Sequence, residues 1–196
     1  MYRIIRNTAT IAAMVLTLGG LAAPAHAAEG TNCTVDVDRG SVDCFATFSE
    51  AIRFATGGHV ADAPRTAAEA AQDPELLRRM GAGDKSTPIL TFPRYVVGLE
   101  FDGKNYTGDA VTFYSFWPCT GSTADIDWKV PVMPAGWDNR ISSFMNFNGC
   151  FTKHFDGASY TGLTTPGFSN DQPTMPGAAG PSLFNMDNRT SSLQFS

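Results

Sequence analysis

Phe101-Asp102-Gly103-Lys104-Asn105-Tyr106-Thr107-Gly108 recurs as Phe155-Asp156-Gly157-Ala158-Ser159-Tyr160-Thr161-Gly162. A second repeated stretch follows each: Asp138-Asn139-Arg140-Ile141-Ser142-Ser143 after the first, Asp187-Asn188-Arg189-Thr190-Ser191-Ser192 after the second. Both copies therefore read aromatic-x4-aromatic-x-Gly and then Asp-Asn-x-x-Ser-Ser, in the same order. The first signature has a local logic. Tyr106 and Tyr160 can cover a folded hairpin, while Gly108 and Gly162 stand where a side chain would strain the backbone.

The residues around the repeat are strand-like. From Ile89 onward, Pro and Gly punctuate short runs rich in Val, Phe, Tyr and Thr, as in Val96 to Phe101, Ala110 to Tyr114 and Ser143 to Phe147. Helical periodicity is absent there, and many short strands with frequent turn signals predict an all-β sandwich.

The beginning of the chain reads differently. Arg3 and Arg6 form a basic region, Thr8 to Leu21 an apolar one, and Ala25-His26-Ala27 a small-residue cleavage site, the pattern of a secretory signal peptide over residues 1–27. The apolar run is short of what a membrane span needs. Removing Arg3 and Arg6 from the 14 basic residues leaves 12 against 19 acidic ones, a net charge of −7. Such a surface repels phosphate backbones and anionic lipids, which argues against nucleic acid and membranes as partners. A secreted (extracellular), monomeric protein is expected.

All four cysteines follow the cleavage site, and an even count in an exported chain favours two disulfides over a metal site or a catalytic thiol. Arg39-Gly40, flanked by Thr34 to Asp38 and Ser41 to Asp43, reads as a tight hairpin that sets Cys33 opposite Cys44. Cys119 and Cys150 then remain to pair in the later domain. Beyond the hairpin, Thr47 with Glu50 forms a capping-box pattern, and Phe48, Ala51, Ile52 and Ala55 follow at helical spacing until Gly57-Gly58. Thr66 with Glu69 marks a second helical stretch, and Asp73-Pro74-Glu75 opens a third that Gly81 stops. The expected organisation is thus a signal peptide over 1–27, a small hairpin-plus-helices α+β segment over 28–80, a linker over 81–88 and a β domain over 89–196. The α+β segment is too small to bury much core alone, so it either packs on the later domain or serves as a propeptide or binding module.

With both signatures duplicated in register, residues 89–196 resemble a βγ-crystallin domain of the microbial calcium-binding type. The resemblance implies a mostly β fold, a two-sheet Greek key sandwich in which two four-stranded keys pair with pseudo-twofold symmetry. It also implies Ca²⁺ held between the paired Asp-Asn-x-x-Ser-Ser turns. The implied ligands are the hydroxyls of Ser142 and Ser191, the backbone carbonyls of Arg140, Arg189, Lys104 and Ala158, and Asn139 and Asn188 through side chains or water. Ca²⁺ accepts six to eight oxygens of these kinds, and few carboxylates mean weak binding, on the order of 10⁻⁶ to 10⁻⁴ M. Asp102 and Asp156 are expected to offset the guanidinium charge of Arg140 and Arg189. Read without the resemblance, the same turns are Asx turns and hydroxyl caps.

Catalytic candidates are sparse. After cleavage only His59 and His154 remain, with no paired-His spacing, and Asp125, Asp127 and Asp171 read as solvated loop acids. Asn32, Asn105 and Asn188 begin Asn-x-Thr triplets, which matter only in a glycosylating host. The expected function is non-enzymatic calcium binding. The alternative is a secreted proteinase inhibitor, directed at metalloproteinases, or a killer-toxin-like protein on the same fold, as in the secreted actinobacterial members this chain resembles.

Overall fold

The computed structural model describes residues 32–82, 93–180 and 184–196. The signal segment over 1–27 and most of the linker over 81–88 lie outside the described residues.

The chain opens with a hairpin of β1 (Asn32–Asp36) and β2 (Val42–Phe45), whose register sets Cys33 directly against Cys44; the two are disulfide-bonded. Three helices follow: α1 (Phe48–Ala55), α2 (Ala67–Ala70) and α3 (Pro74–Met80). In α1 the Thr47 side chain accepts from the Glu50 amide while the Glu50 carboxylate accepts from the Thr47 amide. These contacts satisfy two donors that a helix N-terminus leaves unpaired. Asp73 caps α3, with Pro74 in its first turn.

The β region holds β3 (Tyr95–Gly103), β4 (Thr107–Ser115), β5 (Trp128–Val130), β6 (Ser143–Asn146), β7 (Thr152–Gly157), β8 (Thr161–Thr164) and β9 (Ser192–Phe195). They form two sheets, ordered β2-β1-β4-β3-β6 and β5-β9-β7-β8. The second sheet contains three strands of one repeat, β7, β8 and β9, and one strand of the other, β5. The first sheet mirrors this. Beside β6 lies the segment around Gln172, whose amide and carbonyl exchange hydrogen bonds with Phe144. The first repeat thus lends β5 to the second sheet, and the second repeat lends the bridged segment around Gln172 to the first. This interlocking makes the two keys one sandwich.

Between the sheets sits one core, including Val97, Val111, Phe113, Trp137, Ile141, Phe144, Leu193 and Phe195. A second core fills the opposite face of the first sheet, where Phe48, Ile52, Leu76 and Met80 of the helices meet Val96, Leu99, Phe101 and Tyr114. The N-terminal residues extend the same sheet, because β1 pairs in parallel with β4 from Cys33 against Val111 to Asp36 against Tyr114. Cys119 and Cys150 are disulfide-bonded at the rim of the inter-sheet core.

Glu100 and His154 occupy equivalent places in the two repeats, each immediately before the first aromatic of its signature. Both are fully buried, and His154 Nε2 lies 3.0 Å from Glu100 Oε2. Burial pushes the Glu100 carboxyl up from its ordinary 4.5. The native state therefore holds that proton more tightly than the unfolded chain does. The stability this group contributes is fully present below pH 4.5 and is lost as pH rises through the raised folded value. Glu100→Gln, which keeps a hydrogen-bonding partner for His154, should flatten that slope in denaturant titrations across pH. Glu100→Ala, which leaves the buried His154 ring nitrogen without its partner, should cost about 1–3 kcal/mol.

Candidate functional site: two mirrored oxygen clusters

Each aromatic-x4-aromatic-x-Gly signature folds as a hairpin with a left-handed corner. Asn105 and Tyr106 have φ of 55° and 61°, and Ser159 and Tyr160 have 54° and 65°. Tyr106 packs edge-on against Phe101, and Tyr160 against Phe155, with ring centroids 5.7 Å apart in both. Gly108 and Gly162 have φ of 80° and 78°, and a Cβ there would meet Asp102 Oδ1 at 1.9 Å or Asp156 Oδ1 at 2.0 Å. Those carboxylates fold back onto the hairpin, accepting from the amides of Asp109 and Leu163.

Each hairpin is fastened to its own Asp-Asn-x-x-Ser-Ser turn by the final serine. Ser143 Oγ donates to the Gly103 carbonyl and accepts from the Tyr106 amide. Ser192 Oγ does the same with Gly157 and Tyr160. The two turns are then tied to each other: the Asn139 amide donates to the Thr190 carbonyl, and the Asn188 amide to the Ile141 carbonyl, both at 2.9 Å. Asn139 and Asn188 sit at φ of 57° and 54°, a region asparagine tolerates better than most residues.

The result is two clusters of oxygen atoms where the turns meet, the first also reached by the Lys104 side chain of its hairpin. In the first, Ser142 Oγ donates to Asn188 Oδ1 at 3.3 Å, and Lys104 Nζ lies 2.9 Å from Asp187 Oδ2. In the second, Ser191 Oγ donates to Asp138 Oδ1 at 2.5 Å, and Asn139 Nδ2 donates to Asp138 Oδ2. The Lys104 and Ala158 carbonyls accept from the hydroxyls of Thr107 and Thr161, both at 2.8 Å. The donor set is hydroxyl, amide, carboxylate and carbonyl oxygen, which suits a hard cation. A serine hydroxyl that donates its proton keeps its lone pairs available, and Asp187 Oδ1 is buried with no hydrogen-bond partner among the described residues. The residues present therefore fit Ca²⁺. Among the described residues no three His, Cys, Asp or Glu side chains gather as a metal cage, so any ion here would rest mainly on neutral oxygens.

Arg140 and Arg189 carry their charge to partners of their own. Arg140 Nη2 lies 2.5 Å from Asp102 Oδ2, and Arg189 Nη2 lies 2.9 Å from Asp156 Oδ2. Each aspartate thus holds its glycine-cornered hairpin with one oxygen and neutralises an arginine with the other.

A further repeat takes part that the sequence reading passed over. Pro131-Val132-Met133-Pro134 matches Pro173-Thr174-Met175-Pro176. The Pro131 carbonyl accepts from the Ser159 amide and the Pro173 carbonyl from the Asn105 amide, so a proline of each key pins the other key's hairpin. Met133 and Met175 are buried, and their amides donate to the carbonyls of Ser191 and Ser142. A search for a second Pro-x-Met-Pro would have found it.

Among the remaining acid-base candidates, the two histidines lie apart from each other and from the aspartates Asp125 and Asp127, which share one hydroxyl. His59 lies in an exposed loop, and His154 is buried against Glu100. Asp125 and Asp127 bind the Thr120 hydroxyl, and Asp171 accepts from the Asn146 amide.

No family model matches the chain, and no curated protein matches it. Among solved structures it is similar to a βγ-crystallin from an archaeon at 16% identity, covering 50% of this chain and 95% of that one, with a TM-score of 0.34. It is also similar to a double mutant of a βγ-crystallin domain from Clostridium beijerinckii, at 13% identity, 50% and 94% coverage and a TM-score of 0.33. A βγ-crystallin domain from Flavobacterium johnsoniae has 16% identity, 51% and 93% coverage and a TM-score of 0.32. At such scores the chain's own geometry carries the description: two interlocked keys in a two-sheet sandwich with an added helical layer.

The glycine corners give a direct check. Gly108→Ala and Gly162→Ala should each cost about 2–4 kcal/mol, combining left-handed strain with displacement of the aspartate. Gly167→Ala, with nothing within 4 Å of the new Cβ, should stay within about 0.5 kcal/mol of the parent in denaturant midpoints.

Proposed function

We propose that this is an exported, non-enzymatic calcium-binding protein in which each oxygen cluster holds one Ca²⁺ and the ions stabilise the sandwich. One observation carries the reading: the serine hydroxyl of each turn meets the Asp or Asn side chain of the other turn, so a matched pair of oxygen sets spans the two keys. The first ion would rest on Ser142, Asn188 and the Lys104 carbonyl. The second would rest on Ser191, Asn139 or Asp138 and the Ala158 carbonyl. The carbonyls of Arg140 and Arg189 are the further donors within the turns. Export is supported by the signal pattern over residues 1–27 and by two disulfides, which persist in oxidising compartments.

Because both clusters need the turns paired, an ion binds the folded chain and not the unfolded one. At a free concentration of 100 Kd, one such ion adds about 2.7 kcal/mol of stability. Pairing of Asp102 with Arg140 and of Asp156 with Arg189 lowers the electrostatic cost of bringing a divalent cation near two guanidinium groups.

Calorimetric titration of the chelator-treated, signal-free protein should give two bound ions and a rise in Tm with Ca²⁺. Ser142→Ala and Ser191→Ala should each remove or weaken one binding step without unfolding the protein. Absence of binding heat together with an unchanged Tm would overturn the reading.

A further inference from the structure

The two clusters are mirrored in backbone and unequal in charge. Where the first hairpin has Lys104, the second has Ala158. Lys104 Nζ lies 2.9 Å from Asp187 Oδ2, so an ammonium from the first hairpin reaches the carboxylate of the opposite turn. The equivalent carboxylate, Asp138, is instead satisfied by neutral donors, Ser191 Oγ on one oxygen and Asn139 Nδ2 on the other. The contact is local to the first cluster, whose hydroxyl–amide bond between Ser142 and Asn188 involves the residue next to Asp187.

We propose that Lys104 acts as an internal cation at the first cluster, making it the weaker of two unequal calcium sites. The inference rests on the calcium-binding reading above and deepens it. To bind with full carboxylate help, Ca²⁺ must displace the ammonium from Asp187; to bind without displacing it, the ion must sit beside a like charge. Either course lowers affinity at this cluster alone. The Lys104 side chain is 53% exposed, so it can swing into solvent at little cost in packing. Without an ion, the ammonium compensates the carboxylate that would otherwise face the opposite hairpin unpaired. The first cluster can then stay assembled at calcium levels too low to fill it.

Calorimetric titration with Ca²⁺, read against Lys104→Met, Lys104→Arg and Ala158→Lys, tests this on the whole signal-free chain. The parent should bind in two steps of different affinity. Lys104→Met should tighten the weaker step about tenfold, the order expected for removing one unit charge a few Å from a partly exposed divalent ion, and leave the stronger step unchanged. Lys104→Arg should match the parent, and Ala158→Lys should weaken the stronger step. The tightening should shrink as salt is raised. Two equal steps in the parent, or a Lys104→Met profile identical to the parent, would overturn the inference and leave calcium binding standing. No heat and no Tm shift in the parent or any variant would overturn both.

Discussion

Two backbone hydrogen bonds hold the paired turns of this molecule together: Asn139 amide to Thr190 carbonyl, and Asn188 amide to Ile141 carbonyl. They join the Asp-Asn-x-x-Ser-Ser turns of the two keys directly to each other. Without them, Ser142 would not meet Asn188 and Ser191 would not meet Asp138. Each hairpin is also pinned by a proline carbonyl from the other key. Neither key can form its oxygen cluster alone. An ion bound at either cluster would accordingly stabilise the junction between keys, where a sandwich built of two similar halves is most easily separated.

The repeat made the double key legible because its residues have strict local requirements. Gly108 and Gly162 have no alternative where a Cβ would overlap a carboxylate, and Tyr106 and Tyr160 cover their hairpins as the spacing predicts. The hairpin disulfide and the capping box of α1 were legible for the same reason: each is specified within a dozen residues. Long-range placement was not. Nothing local in Asn32–Asp36 says that it pairs in parallel with Thr107–Ser115, or that the helices cover the outer face of that sheet. The helical layer explains why Phe113 and Tyr114 are both buried although adjacent residues of a strand point to opposite faces. A sandwich exposed on its outer faces would have left one of them in water.

Electrostatics at the site follows the same division. Asp102 and Asp156 were expected only to moderate the arginine charge by lying close; in the fold they pair with Arg140 and Arg189 while also closing their hairpins. The reach of Lys104 to Asp187 crosses between keys and departs from the repeat, so the sequence alone could not assign it a role. Glu100 and His154 were likewise separate residues in the sequence and one buried pair in the fold. Both cases place the chemistry that distinguishes the two keys at positions where the repeat is broken.

We propose that oxygen atoms from both turns and both hairpins form two ion sites. Two-dimensional amide NMR of the chelator-treated protein, followed through a Ca²⁺ titration, addresses it most directly. Amides of residues 103–106 and 157–160 should shift together with those of 138–143 and 187–192, while the helices over Phe48–Met80 stay unmoved. Shifts confined to one turn, or spread over exposed acidic loops with the paired turns unchanged, would contradict it.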